Sequence, residues 1–130
     1  MRLIALTGLM GSGKSTVAKQ LIESYCFEKV KLAGGLKTML RALLDYSLIK
    51  PDLVELMIEG DYKESPSSVL EGQSPRRAMQ TLGTEWGRKC IGEEFWVHIA
   101  EQRIRSVMSF GLSVVIDDCR YPNEAAMIER

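Results

Sequence analysis

The sequence predicts an α/β fold built on a parallel sheet, and three observations carry that prediction. Short apolar runs, Leu3-Ile4-Ala5-Leu6 and Leu112-Ser113-Val114-Val115-Ile116, alternate with longer segments of helical periodicity. A glycine loop running from Gly8 to Ser15 separates the first apolar run from a helix. The second apolar run is β-branched and ends in Asp117-Asp118. Strands joined by helices favour parallel pairing with right-handed crossovers, and such sheets take ligands at the carboxyl ends of their strands. The exits Thr7-Gly8 and Asp117-Asp118 are therefore expected at one crevice.

Each element has its own justification. Leu3–Leu6 reads as a buried strand, and Thr16–Ile22 as a helix with apolar residues at 17, 18, 21 and 22. Glu28–Ala33 is a partly alternating candidate for a second strand, and Gly34-Gly35 a turn. Leu36–Tyr46 follows as a helix whose stripe is Leu36, Met39, Leu40, Leu43 and Leu44. Pro51 opens a short helix through Ile58. The polar stretch Gly60–Gln73 reads as an exposed loop. Ser74-Pro75 is a helix start, with Ser at the N-cap and Pro in the first helical position. That helix is expected to reach Cys90, and a further one to span Glu93–Met108 through Phe95, Trp96, Ile99, Ile104, Val107 and Met108. Leu112–Ile116 is the strand that ends in the aspartates, and Pro122 begins a last helix.

The 130 residues suffice for one domain with one core. Seventeen basic residues balance seventeen acidic ones, so no bulk field draws the chain to nucleic acid or to a membrane surface. Any anion must be held by a local cluster of charge. No apolar run approaches transmembrane length. Cys26, Cys90 and Cys119 are odd in number and lack Cys-x-x-Cys spacing, which reads as reduced thiols rather than a disulfide set or a zinc site.

The glycine loop, G-L-M-G-S-G-K-S, fits the phosphate-binding pattern G-x-x-x-x-G-K-[ST]. Its backbone N–H groups can curl around phosphate oxygens, with the following helix adding a favourable dipole. Gly8, Gly11 and Gly13 permit the backbone angles and close approach this needs. Ser12 and Thr16 complete the loop and helix start, Lys14 supplies a point charge for the β- and γ-phosphates, and Ser15 a hydroxyl for Mg²⁺. A carboxylate at the end of an adjacent strand is the usual partner, since it can hold Mg²⁺ or its waters. Alternation puts Asp117 and Asp118 on opposite sides of the strand, so spacing leaves the choice between them open. Arg120 follows as a possible clamp on a transferring phosphoryl group. Between Ser74 and Arg88, residues Arg76, Gln80, Thr84 and Arg88 recur every four positions, with Ala78, Leu82 and Trp86 on the other side. Periodicity alone favours a solvated charged face for that stripe. Gly83 and Gly87 cost about 1 kcal/mol each against Ala inside a helix, which points to a close approach by a backbone or ligand.

Four blocks, I-A-L-T-G-L-M-G-S-G-K-S-T-V-A, L-A-G-G-L-K-T-M-L, S-P-R-R-A-M-Q-T-L-G-T-E-W-G-R and V-V-I-D-D-C-R-Y-P-N-E-A, together resemble the phage-type deoxynucleoside monophosphate kinases. They span Ile4 to Ala125. The resemblance implies a P-loop kinase-like three-layer fold in which strands 2, 3 and 1 are present, in that spatial order. It also implies a helical acceptor-binding insertion at about residues 35–108 within a single domain of residues 1–130. It implies ATP and Mg²⁺ as cofactors and transfer of the γ-phosphoryl group to a nucleoside monophosphate. Lys14, Asp118 and Arg120 would be catalytic. Ser15 and Asp118 would hold the metal, the latter matching the Asp of the family's D-x-R-[FY]-P-N-E block. Lys37, Arg76, Arg77, Gln80, Arg88 and Arg120 would bind the acceptor. Phosphomevalonate kinases of animal type share a looser version of this plan, so another small-molecule kinase, or a nucleotide-binding module without turnover, is the alternative reading. Gly34-Gly35 stands where the phage enzymes carry Asp-Pro, and family members continue past the position of Arg130 with further strands and an arginine-bearing lid. Strand 1 is accordingly expected at an open edge, covered by a second copy or another partner. A cytoplasmic location is expected, that of the host if the chain is phage-encoded.

Lys14→Ala is expected to weaken ATP–Mg²⁺ binding at least tenfold, roughly the worth of one buried charge-assisted contact. Calorimetric titration of the folded variant checks this, and unchanged affinity would remove the phosphate-loop assignment.

Overall fold

The structure, a computed structural model, describes residues 2–7 and 13–129. Along the chain run β1 (Leu3–Ala5), α1 (Lys14–Tyr25), β2 (Glu28–Lys29), α2 (Gly34–Tyr46), α3 (Pro51–Ile58), α4 (Pro75–Gln80), α5 (Phe95–Ser109), β3 (Val114–Ile116) and α6 (Pro122–Glu129). A 3₁₀ turn at Ser68–Leu70 precedes α4, and a π-helical segment, Thr81–Ile91, continues it. The chain divides into two compact units, Met1–Gly34 with Glu94–Arg130, and Gly35–Glu93.

The first unit contains a three-stranded parallel sheet in the order β1-β3-β2. Leu3, Ile4 and Ala5 pair with Val114, Val115 and Ile116, while Glu28 and Lys29 pair with Val114 and Val115 from the other side. This is the expected 2-3-1 order, and among the described residues β1 is an edge strand. The central strand is wholly buried, and its pleat sorts the core into two layers. Val114 and Ile116 meet Val97, Ala100 and Ile104 of α5 and Met127 of α6. Val115 points the other way, onto Ala18 of α1 and Phe27. Helices thus cover both faces, which is why β3 reads as an uninterrupted apolar run.

Strand β2 is shorter than Glu28–Ala33. Val30 N–H still bonds the Val115 carbonyl at 3.1 Å, but the chain then turns at Leu32-Ala33. The turn expected at Gly34-Gly35 falls two residues earlier, and both glycines open α2. On α5 the buried side is Val97, Ala100 and Ile104, and Ile99 is exposed, which corrects the expected apolar set.

In the second unit, α2 buries Leu36, Leu40 and Leu44 at spacings of four, together with Lys37. Met39 and Leu43, expected on the same stripe, are 42% and 52% exposed. The buried seam is narrower than the apolar pattern. Val54, Met57 and Ile58 are the inward side of α3. The polar stretch before α4 closes on itself through bonds from Ser67 N–H to the Gln73 carbonyl and from Gly72 N–H to the Ser67 carbonyl. Ser74 caps α4 as expected, its hydroxyl accepting from Arg77 N–H at 3.1 Å. The α-helical pattern does not reach Cys90. The Thr81 hydroxyl donates to the carbonyls of Arg77 and Ala78, and from there the chain winds with i to i+5 bonds, as from Gly92 N–H to the Gly87 carbonyl. A Cβ at Gly83 would stand 3.2 Å from Leu36 Cδ2, so this glycine lets the π-helical segment lie close against α2. Trp86, on the side opposite the Arg76–Arg88 stripe, is 37% exposed.

Leu44 is fully buried. Leu44→Ala is expected to cost about 2–5 kcal/mol, the range for deleting a large core side chain. Urea unfolding measures it, and a loss under about 1 kcal/mol would mean the site collapses around the smaller residue.

Candidate phosphate site at the strand ends

Three carboxylates organise the exit of β3. Asp117, only 8% exposed, bonds Lys29 Nζ through Oδ2 at 2.9 Å, while its buried Oδ1 has no partner among the described residues. Burial works to raise the Asp117 pKa, but the Lys29 hydrogen bond and the charges of Lys29 and Lys31 outweigh it and hold the carboxyl below its ordinary value. Asp118 accepts from Leu32 N–H at 2.9 Å and from Ala33 N–H at 3.0 Å, one bond to each oxygen. Glu124, in the first turn of α6, accepts from Arg120 N–H at 2.8 Å and Tyr121 N–H at 2.9 Å, both at Oε1. The chain between Asp118 and Tyr121 is thus gripped at both ends. Arg120 projects from it, exposed. Cys119 is buried, and burial with the nearby charges of Glu124 and Asp118 pushes its thiol pKa up, so it stays a protonated, poor nucleophile.

Thr7, Cys119, Arg120, Tyr121, Pro122 and Ala125 line an open cleft of about 420 Å³ beyond the carboxyl ends of β1 and β3. The volume falls in the range of small-molecule sites. Helix α1 starts at Gly13, whose φ of 90° needs no strain in a glycine. Lys14 follows half-buried, with Ser15 and Thr16 exposed. The first turn of α1 carries no acidic residue, so its orphan N–H groups and positive dipole end are not neutralised from within the helix. Gly8, Gly11 and Ser12 lie outside the described residues. This half of the site suits a polyphosphate and a cation: a cationic side chain and two hydroxyls at a helix start, and a carboxylate, Asp118, that uses two of about four acceptor positions.

The remaining candidates belong to the second unit. Lys37 is buried and bonds Glu59 at 2.7 Å. Arg76 pairs with Glu64 at 2.9 Å, and Arg88 with Glu93 at 3.1 Å. Arg77 and Gln80 are exposed. His98 is an exposed helix residue. Among the described residues no group of three His, Cys, Asp or Glu could hold a metal ion, and no helix is long and apolar enough to cross a membrane.

Sequence reasoning did not single out Lys29, Glu59 or Glu124. Lys29 and Glu59 carry no local signal, since each acts on a partner far along the chain. Glu124 had one: it stands three residues past Tyr121, the spacing of a carboxylate reaching back over a helix start.

No family model matches the chain. A protein of Acanthamoeba polyphaga mimivirus, provisionally named a deoxynucleotide monophosphate kinase, is 30% identical over 138 aligned residues, covering 99% of this chain and 69% of that protein. The deoxynucleoside-5'-monophosphate kinase of Escherichia phage T5 is 40% identical over 55 residues, which is 42% of this chain and 21% of the phage protein. The parallel sheet with helices on both faces makes this an α/β protein, consistent with part of a kinase fold. The mimiviral likeness then places it: the chain belongs to the deoxynucleotide monophosphate kinase family.

Because the folded Asp117 pKa is depressed, its contribution to stability is present above the unfolded value of about 3.9 and is lost as pH falls through the folded one. Asp117→Asn is expected to flatten the stability–pH curve below about pH 4 relative to the parent. Thermal unfolding from neutral pH down to about pH 2 checks this, and parallel curves would contradict it.

Proposed function

We propose that this chain binds ATP with Mg²⁺ and transfers the γ-phosphoryl group to a deoxynucleoside monophosphate, giving the diphosphate. The observation that carries the reading is the cleft beyond β1 and β3, where an exposed arginine stands on a backbone fixed by Asp118 and Glu124. Phosphoryl transfer asks a protein mainly for positioning and cations, and the site offers both. Support also comes from the names of the mimiviral and phage T5 relatives.

In this reading Gly8, Gly11, Ser12, Gly13, Lys14, Ser15 and Thr16 take the ATP phosphates, with Lys14 as the point charge. Ser15 and Asp118 hold Mg²⁺, which when bound neutralises charge on the phosphate oxygens. Asp118 is preferred to Asp117 because it is the less buried and keeps acceptor capacity, whereas Asp117 is committed to Lys29. Arg120 stabilises the phosphoryl group in flight. Arg120 also meets the acceptor phosphate, and Arg76, Arg77, Gln80, Arg88 and Lys37 are the acceptor-binding residues of the second unit, which this reading takes as an acceptor-binding insertion. A second copy covering the β1 edge is proposed on the ground that an open strand edge is a site for association.

Coupled ADP release with each deoxynucleoside monophosphate in turn tests the reading. ADP formation above the ATP-only rate is expected with at least one acceptor, and its absence with all of them would overturn it. Asp118→Asn is expected to lower kcat at least about tenfold with little change in ATP affinity, because a carboxylate acting through the metal serves the transition state. Asp117→Asn is expected to lower kcat less. The reverse ranking in folded proteins would move the metal role to Asp117.

A further inference from the structure

We propose that Glu124 is a positioning residue, fixing the backbone from which Arg120 meets the acceptor phosphate. The proposal rests on the reading of Arg120 as a phosphate-binding cation. Its ground is one oxygen making two bonds. Glu124 Oε1 accepts from Tyr121 N–H at 2.9 Å and from Arg120 N–H at 2.8 Å.

The first bond is what a helix needs. Pro122 begins α6 and has no N–H, so Tyr121 is the residue ahead of the helix, and a Glu in the first turn reaching back to its amide is half of a capping box. The second bond lies outside the helix. It holds the amide of the residue that carries the cation, and successive amides converging on one anion fix both backbone directions at once. Asp118 makes a matching grip two residues upstream through Leu32 and Ala33. Without the Glu124 side chain the far end keeps only the Tyr121 carbonyl, which accepts from Glu124 N–H and Ala125 N–H, while the amides of Arg120 and Tyr121 are released. The Arg120 side chain is exposed, so the backbone is the part of this residue that the fold controls. Displacement of a binding group by about 1 Å is enough to cost a large factor in phosphoryl transfer.

The chemistry also predicts which property of Glu124 matters. Its negative charge lies against the amides of Arg120 and Tyr121, two residues that line the cleft, and so opposes a phosphate bound there. The useful feature is the acceptor oxygen. Glutamine keeps that oxygen and drops the charge, whereas alanine loses both.

The test is steady-state kinetics of the full chain and two variants, Glu124→Gln and Glu124→Ala, with whichever deoxynucleoside monophosphate the parent turns over fastest. Glu124→Ala is expected to raise the acceptor KM about tenfold, the worth of one hydrogen bond to a charged group, with the ATP KM moved less than about twofold. Glu124→Gln is expected to match the parent or bind the acceptor more tightly. Adding Glu124→Ala to Arg120→Ala is expected to produce no further rise, since the two act through one contact. Should Glu124→Ala fail to fold, Glu124→Asp, one methylene short of the two amides, serves in its place. An unchanged acceptor KM in the alanine variant, an equal loss in the glutamine variant, or a loss confined to the ATP KM would each overturn the positioning role. A parent that turns over no monophosphate removes the kinase reading together with this one. An active parent whose alanine variant keeps its KM removes this one alone.

Discussion

Strand β2 gives only Glu28 and Lys29 to the ladder, and a strand so short is not held by backbone bonds alone. Burial of Phe27, Val30 and Leu32 helps to hold it, and the end of β3 adds side-chain ties. Asp117 reaches Lys29 within the strand, and Asp118 takes the amides of Leu32 and Ala33 in the turn beyond it. Two adjacent aspartates can do this because alternation sends successive side chains to opposite sides. The turn in turn decides where α2 begins, since Gly34 and Gly35 have poor intrinsic helix preference and start a helix only where the chain is already steered. The buried Asp117–Lys29 pair is weak evidence for net stability, because desolvation offsets most of the attraction. Its clearer effect is to tie Lys29 to the end of β3, in keeping with the pairing of Lys29 and Val115.

The same carboxylates frame the cleft, so architecture and proposed chemistry share groups. Asp117 faces inward and Asp118 keeps acceptor positions toward solvent, while Glu124 closes the far end of the segment. A cation placed on such a frame loses less freedom on binding than one on an open loop, which is where preorganisation lowers the cost of recognition.

Much of this was legible in the sequence, for identifiable reasons. The strand cores, the Ser74-Pro75 helix start and the Pro51 and Pro122 starts depend on neighbours within a few residues, and local chemistry names them. The 2-3-1 order came from a family resemblance, not from periodicity. The errors are long-range. Nothing near Ala33 announces that a residue 85 positions away will take its amide, so local chemistry points to the glycines as the turn. Met39 and Leu43 fit an apolar stripe as well as Leu40 and Leu44 do, and only packing separates them. The π-helical winding from Thr81 to Ile91 has no sign in the residue spacing, which reads as one continuous α-helix. The metal carboxylate and the acceptor residues stayed ambiguous because a motif gives residue types, whereas their roles depend on which partners they already hold.

Those partners rank the second unit's cations as candidates for an acceptor phosphate. Arg76–Glu64 is an exposed pair, 40% and 68% at the side chains, and such pairs contribute about 0–1 kcal/mol. A phosphate can replace Glu64 at little cost, with the guanidinium fork offering bidentate geometry. Lys37–Glu59 is different: its lysine side chain is 11% exposed, the bond is 2.7 Å, and Glu59 also meets Arg41 at 3.7 Å. Drawing Lys37 away would give up that bond and loosen the tie between α2 and the end of α3. Within the proposed function the balance therefore ranks Arg76 and its exposed neighbour Arg77 ahead of Lys37 as candidates for an acceptor phosphate, since Lys37 already ties α2 to the end of α3.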